Sequence, residues 1–225
     1  MSSYPGMSSA LQSAWEGLLK GQIPDLNRFT VTKKSLWHRQ DVGTALSASY
    51  NWFNTAASPY VTNMPQASSL PNEQAMWITG IRIHVARGYD TSGTAQADGL
   101  PNQIDADPAA VANDLDLLLS YGQFKLSIAG REYIDAFGLY QFPSGGGVYM
   151  DGVAATTATT VTYIDLHPNN GFPDARNLYQ LPVPIPLVPG KNISCTTGWN
   201  IGPTLKDTYS MCVALDGVFV YPANN

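Results

Sequence analysis

The run LPVPIPLVP, from Leu181 to Pro189, carries prolines at three alternate positions, 182, 184 and 186. Proline has no backbone N–H, and alternate residues of a strand direct their N–H groups toward the same neighbouring strand. A strand that lacks three donors on one side can pair only through its other side, so the run predicts an edge strand. The alternative is a polyproline segment that a partner recognises. The edge strand is favoured because Val183, Ile185 and Leu187 keep an apolar period of two.

The same period of two recurs along most of the chain and predicts several further strands. The clearest is Met76–Arg87, in which Trp77, Thr79, Ile81, Ile83 and Val85 are expected on one face and Arg82 and His84 on the other. Near its end the chain carries Asp216-Gly217, a strong hairpin signal. The other predicted strands are 30–36, 46–52, 124–128, 131–134 after a turn at Ala129-Gly130, 154–166, 192–199 and 211–222.

Two segments follow a helical period instead. Residues 7–19 place Leu11, Trp15 and Leu18 on one side of a short amphipathic helix, and Gly21 and Pro24 end it. This helix either packs on its own domain or docks onto a neighbouring subunit. Asp107-Pro108 begins a second helix, which continues to Ser120.

Many short strands and only two helices indicate a mainly β chain, specifically a jelly-roll β-sandwich of about eight strands. Residues 1–27 are expected to form an N-terminal helical arm and residues 28–225 the sandwich domain.

Charged residues make up only 13% of the 225 residues, about half of the usual share, and the formal net charge is −5. Lysines and arginines form no run, so direct binding of nucleic acid is not expected. The polar surface must then come mainly from neutral side chains, which are easier to desolvate than ions and suit broad protein contacts.

The compartment is predicted from what the sequence lacks. It shows neither a secretory signal nor about 20 consecutive apolar residues, so synthesis and folding in cytoplasm are expected. Cys195 and Cys212 are then expected to be buried free thiols, although a disulfide between them stays possible.

No set of residues predicts catalysis, a cofactor or a metal site. The three histidines, 38, 84 and 167, are far apart, and the acids at 105, 107, 114 and 116 lack the glycine and distal Glu of a calcium loop. Aromatic residues at 37, 50, 52 and 77 could form a sugar-binding platform, but alternation along strands favours a place in the core.

Several stretches of the chain resemble virion structural proteins of bacteriophages, and they follow one another in the same order as in those proteins. Thr62–Val85 holds a Leu-Pro loop that leads into a strand reading ITGIRI. Tyr121–Tyr149 holds a short strand, a tight turn, an aromatic strand and a Gly-rich PSGGG loop. Leu181–Trp199 and Val213–Pro222 are similar to the closing strands. The chain is therefore similar to capsid-type proteins with a single jelly-roll domain.

The resemblance implies an icosahedral shell component that assembles with copies of itself and other virion proteins, with a trimer favoured. It implies no catalytic residue. The expected subunit contacts are made by Leu11, Trp15, Leu18, Pro182, Pro184 and Pro186. Replacing Trp15 by Asp should block assembly and leave the domain folded. The alternatives are a receptor- or carbohydrate-binding jelly-roll module of a fibre or spike, and an enzyme built on a β-sandwich.

Overall fold

The computed structural model describes residues 29–46, 49–58, 60–87, 108–144, 149–157, 160–171, 178–206 and 208–222, and Ser13 alone before them. These residues form ten strands, one α-helix and one 3-10 helix. In chain order they are β1 (Phe29–Val42), β2 (Tyr50–Trp52), β3 (Ala75–Arg87), α1 (Pro108–Tyr121), β4 (Gly122–Ile128), β5 (Arg131–Gly138), the 3-10 helix (Leu139–Gln141), β6 (Tyr149–Thr157), β7 (Thr160–Asn169), β8 (Tyr179–Leu187), β9 (Ile193–Trp199) and β10 (Tyr209–Pro222).

The strands form two antiparallel sheets. In the first sheet β10 lies between β1 and β3, and β3 pairs on its other side with β8. The hairpin β6–β7 joins this sheet at one point, where Asn169 pairs with Ala86. The second sheet has the order β2-β9-β4-β5. The chain is thus mainly β, as the sequence predicts.

One hydrophobic core receives side chains from both sheets. Ile81, Ile83 and Val85 of β3 are fully buried in it, and so are Phe124 and Leu126 of β4. The largest side chains in this core include Trp52 and Trp199. Alternation of buried and exposed positions is regular along β4 and β9, which is the pattern of strands with one face toward a core.

A β-bulge in β3 corrects two expectations. Asp216 pairs with Gly80 and Gly217 with Ile78, so Thr79 is an extra residue that reverses the alternation. Trp77 and Thr79 therefore do not share a face with Ile81, Ile83 and Val85, because Met76 and Ile78 take the inward positions.

The hairpin predicted at Asp216-Gly217 is wrong. These residues lie inside β10, which pairs with β1 on one side and β3 on the other. The glycine is needed because a Cβ at position 217 would overlap the carbonyl oxygen of Trp77. Close backbone approach, and not a turn, explains this glycine.

Other elements lie close to their predicted positions. The helix α1 begins at Pro108 as expected and buries Leu115 and Leu118. Ala129 and Gly130 have φ of 52° and 79° in the β4–β5 turn, where a residue pair with positive φ suits a tight hairpin. The single strand predicted over 154–166 is instead the hairpin β6–β7.

Candidate functional site

The edge-strand prediction for the proline run is confirmed. Among the described residues β8 pairs only with β3, with Ile185 opposite Ile78 and Pro186 opposite Trp77. The pairing then skips from Ile185 to Gln180, so Pro182 and Pro184 lie in a bulge opposite Thr79. Val183 is 67% exposed there, whereas Ile185 and Leu187 are buried, so the predicted apolar period holds for only two of the three residues.

The opposite edge of the first sheet is closed by side-chain and loop hydrogen bonds. Asn63 accepts the backbone N–H of Trp37 with Oδ1 (2.7 Å) and donates through Nδ2 to the carbonyl of Ser35 (2.8 Å). The backbone N–H of Arg39 donates to the carbonyl of Val61 at 2.6 Å. The residues 61–63 therefore occupy groups of β1 that another strand could otherwise pair with.

The outer face of the first sheet has a trough, because small side chains of β10 lie between larger side chains of β1 and β3. The β1 and β3 neighbours of Cys212 are Arg39 and His84, and those of Ala214 are Trp37 and Arg82. In both rows the middle residue is small and the flanking ones are large. The resulting cavity of about 260 Å³ is lined by Ser35, Trp37, Arg39, Arg82, His84, Ser144, Cys212 and Ala214.

An ion pair lies beside this trough and links three strands. Arg82 donates to both carboxylate oxygens of Asp216, at 2.6 Å through Nε and 2.8 Å through Nη2. Ser35 on β1 donates its hydroxyl to the same carboxylate. This contact with Asp216 raises the pKa of Arg82, so the guanidinium is permanently charged.

The histidine and cysteine of the trough are neutral at pH 7. Burial lowers the pKa of His84, and the positive charges of Arg39 and Arg82 lower it further. Burial raises the pKa of Cys212 more than the two arginines lower it, so its thiol stays protonated. Both cysteines are free, as expected; Cys195 is buried in the core, whereas Cys212 is only partly buried.

The aromatic platform considered as an alternative for binding a sugar is not formed. Trp52 and Trp77 are 1% and 4% exposed, and Tyr50 packs edge-on against Trp199 with ring centroids 5.7 Å apart. Trp37 belongs to the trough of the other sheet. The preference for a core location is therefore correct for Trp52, which belongs to the core, and for Tyr50, which packs against it.

A second, shallower pocket lies on the outer face of the second sheet and has a volume of about 160 Å³. It is lined by polar or small residues: Ser49, Gln123, Lys125, Thr196, Thr197, Gly198 and Asn200. None of these described residues has an aromatic ring, so they do not offer the stacking surface that a sugar ring commonly uses.

The candidate calcium ligands have structural roles where they can be seen. Asp114 is 1% exposed, and its two carboxylate oxygens accept the backbone N–H of Lys206 at 3.0 and 2.9 Å. Asp116 accepts the hydroxyl of Ser120. Within the described ranges no three His, Cys, Asp or Glu residues gather in a way that could hold a metal ion.

The expected contacts of the N-terminal arm, Leu11, Trp15 and Leu18, lie outside the described residues, as do Asp105 and Asp107. The sequence pattern did place Arg82 and His84 on one face of β3. It could not bring Arg39, Cys212 or Ser144 to them, because that requires the pairing of three strands distant in sequence.

None of the described helices is both long and apolar enough to cross a membrane. Comparisons of the chain with protein-family models, with curated proteins and with solved structures found no match.

Proposed function

We propose that this chain is a structural component of a bacteriophage particle, a capsid or capsid-associated protein with one jelly-roll domain that assembles with copies of itself. The observation that carries the proposal is the nested pairing of eight strands. Without the β6–β7 hairpin, the first strand pairs with the eighth, the second with the seventh, the third with the sixth and the fourth with the fifth.

Nested pairing is the arrangement of one long hairpin wound around a core, which describes a jelly roll. The strand orders support the same proposal. They are first-eighth-third-sixth in one sheet and second-seventh-fourth-fifth in the other. Viral capsid domains and lectins both use this fold, so the fold alone does not choose between them.

Two blocked edge strands of the first sheet favour assembly through faces and loops. The edge of β8 is blocked by prolines and the edge of β1 by the Asn63 contacts, whereas β6 is the outer strand of the attached hairpin. A shell must form one defined contact many times without open-ended edge pairing, and blocked edges prevent such pairing.

Large exposed side chains gather at one end of the second sheet and are suited to contact another copy. Tyr121, Tyr140 and Ile201 are 52%, 66% and 72% exposed. Gly122 pairs with Trp199, and Gln123 pairs with Gly138, so all three side chains lie within two residues of the same end of this sheet. Exposed aromatic and apolar groups in one place are typical of protein interfaces.

The first experiment is size-exclusion chromatography with light scattering on the full-length chain over a range of concentrations. A trimer, a hexamer or closed particles would support the proposal. A strict monomer at every concentration would contradict self-assembly and favour a ligand-binding module.

Two variants make the test specific. Ile201→Asp should give a monomer with an unchanged circular dichroism spectrum and melting temperature, because the charge must be desolvated in the contact. Tyr60→Ser is the control, since it removes a side chain that is 63% exposed from a loop elsewhere. If both variants assemble like the parent chain, this end of the second sheet is not the contact.

A further inference from the structure

We propose that the trough on the outer face of the first sheet is a binding site for a small organic anion, with a phosphate-class head between Arg82, His84 and Ser144 and an apolar body against Trp37. The proposal concerns a ligand of the single subunit and does not depend on assembly.

The first argument is the unused hydrogen-bonding capacity of a buried group. Ser144 is 1% exposed and lines the trough, and its hydroxyl oxygen has no hydrogen-bond partner among the described residues. A buried hydroxyl without a partner is costly, so it indicates a ligand or water that the site accommodates. The position of Ser144 is set by the adjacent backbone, because the N–H of Ile83 donates to the carbonyl of Phe142 at 3.3 Å.

The second argument is the donor that Arg82 still has available. Arg39 and Arg82 both line the cavity, and Asp216 forms an ion pair with Arg82. The guanidinium of Arg82 uses Nε and Nη2 in its contacts with Asp216 and Ser35, and no described residue accepts from its Nη1. A guanidinium donor that is still available in a cavity favours an anion.

The third argument is the state of His84. Its imidazole is neutral and makes no hydrogen bond with a described residue, so it can donate one N–H without any change of charge. The hydroxyl, guanidinium and imidazole lie around one cavity, an arrangement that suits the several acceptor oxygens of a phosphate group. The flat ring of Trp37 and the methyl group of Ala214 supply an apolar wall beside these donors.

The small residues of β10 make room for the ligand. Ala214 and Cys212 occupy the middle of the trough, between the larger residues of β1 and β3. Replacing Ala214 by Leu should fill this space and prevent binding without removing any polar contact. The cavity of about 260 Å³ can hold a phosphate group with a six-membered ring.

The test is isothermal titration calorimetry of the full-length chain with phenyl phosphate, inorganic phosphate and phenol, each at the same ionic strength. Phenyl phosphate should bind at least about tenfold more tightly than inorganic phosphate, and phenol should not bind measurably. Equal affinity for the two phosphates would overturn the role of Trp37. Absence of binding by both phosphates would overturn the site.

Variants locate the binding. Ser144→Ala and Arg39→Gln should each lower the affinity for phenyl phosphate by about tenfold. Arg131→Gln should leave this affinity unchanged. Arg131 is the matched control because it is an exposed arginine of the second sheet that lies over the ring of Tyr133. If Arg131→Gln weakens binding as much as Arg39→Gln, the anion responds to overall charge and the proposed site is wrong.

Discussion

Each sheet carries an ion pair on its outer face, and the two pairs differ in their surroundings. Arg82 and Asp216 of the first sheet have side chains 22% and 17% exposed, and Ser35 of a third strand also donates to the carboxylate. Lys125 and Asp135 of the second sheet lie 2.9 Å apart with side chains 52% and 62% exposed. Similar chemistry thus links three strands in one sheet and is screened by solvent in the other.

The comparison teaches that the first sheet is where this fold is most tightly determined. Its strands are held by a half-buried charge network, a bulge and blocked edges, whereas the outer face of the second sheet is polar and exposed. Substitutions of the same type should therefore cost more in the first sheet than in the second.

The largest difference in lost stability is expected between alanine substitutions at two glycines. Gly217→Ala in the first sheet should destabilise the chain by about 4 kcal/mol or prevent folding, because the new methyl group would meet the backbone of Trp77. At Gly130 in the β4–β5 turn a methyl group would have free space, but the φ is +79°. Gly130→Ala should therefore lower the free energy of unfolding by about 1 kcal/mol. Urea denaturation of both variants measures these values. Similar losses would contradict the difference between the sheets.

The next largest effect concerns the buried imidazole between the sheets. His38 is 2% exposed, accepts the backbone N–H of Phe53 with Nδ1 and contacts Trp52 edge-on. Burial lowers its pKa from 6.5 to about 4. The unfolded chain therefore takes up a proton before the folded chain does, and stability should fall as the pH decreases from about 6.5 to about 4, by about 3 kcal/mol in total.

Denaturation at a series of pH values tests this expectation. In His38→Asn the amide oxygen can replace Nδ1 as the acceptor, so the variant should be less stable at pH 7 but should lose less stability on acidification. An unchanged slope between pH 6.5 and 4 would show that other groups cause the acid sensitivity.

Removal of one charge from each ion pair gives the third comparison. Asp216→Asn should lower the free energy of unfolding by about 2 kcal/mol, because it leaves the half-buried Arg82 without its counter-charge. This loss is smaller than that expected for a fully buried ion pair. Asp135→Asn should cause no measurable change in stability, because both charged groups of the Lys125–Asp135 pair are solvated. Thermal unfolding of the two variants would separate them. A larger loss for Asp135→Asn would reverse our ranking of the two faces.

The smallest expected effect is at the edge of β1. Asn63→Ala removes the side chain that bonds Trp37 and Ser35, and should cost about 1 kcal/mol. It should also increase association at high concentration, because an open strand edge invites pairing. Asn51→Ala, on the exposed outer face of the second sheet, is the control and should do neither.

Local patterns in the sequence predicted the elements better than their partners. The prolines at 182, 184 and 186 predicted an edge strand because the missing N–H groups act within β8 itself. Asp107-Pro108 predicted the start of α1 for a similar local reason.

Features that depend on neighbouring strands were missed. Asp216-Gly217 carries the sequence of a hairpin turn, but the pairing of β10 on both sides and the carbonyl of Trp77 determine its conformation. The bulge at Thr79 likewise arises from the pairing of β3 with β10, so alternation alone assigned Trp77 to the wrong face. The trough could not be predicted from the sequence, because its residues come from distant positions between 35 and 214.

The nested strand pairing has a consequence for synthesis of the protein. The strand β10, residues 209–222, pairs with β1 and with β3, so both partners are made long before it. Until β10 leaves the ribosome, the facing edges of β1 and β3 lack their common partner. Contacts between positions so distant in sequence form slowly. The nascent chain therefore spends most of its synthesis with unpaired strand edges, the state in which chaperones bind and aggregation begins.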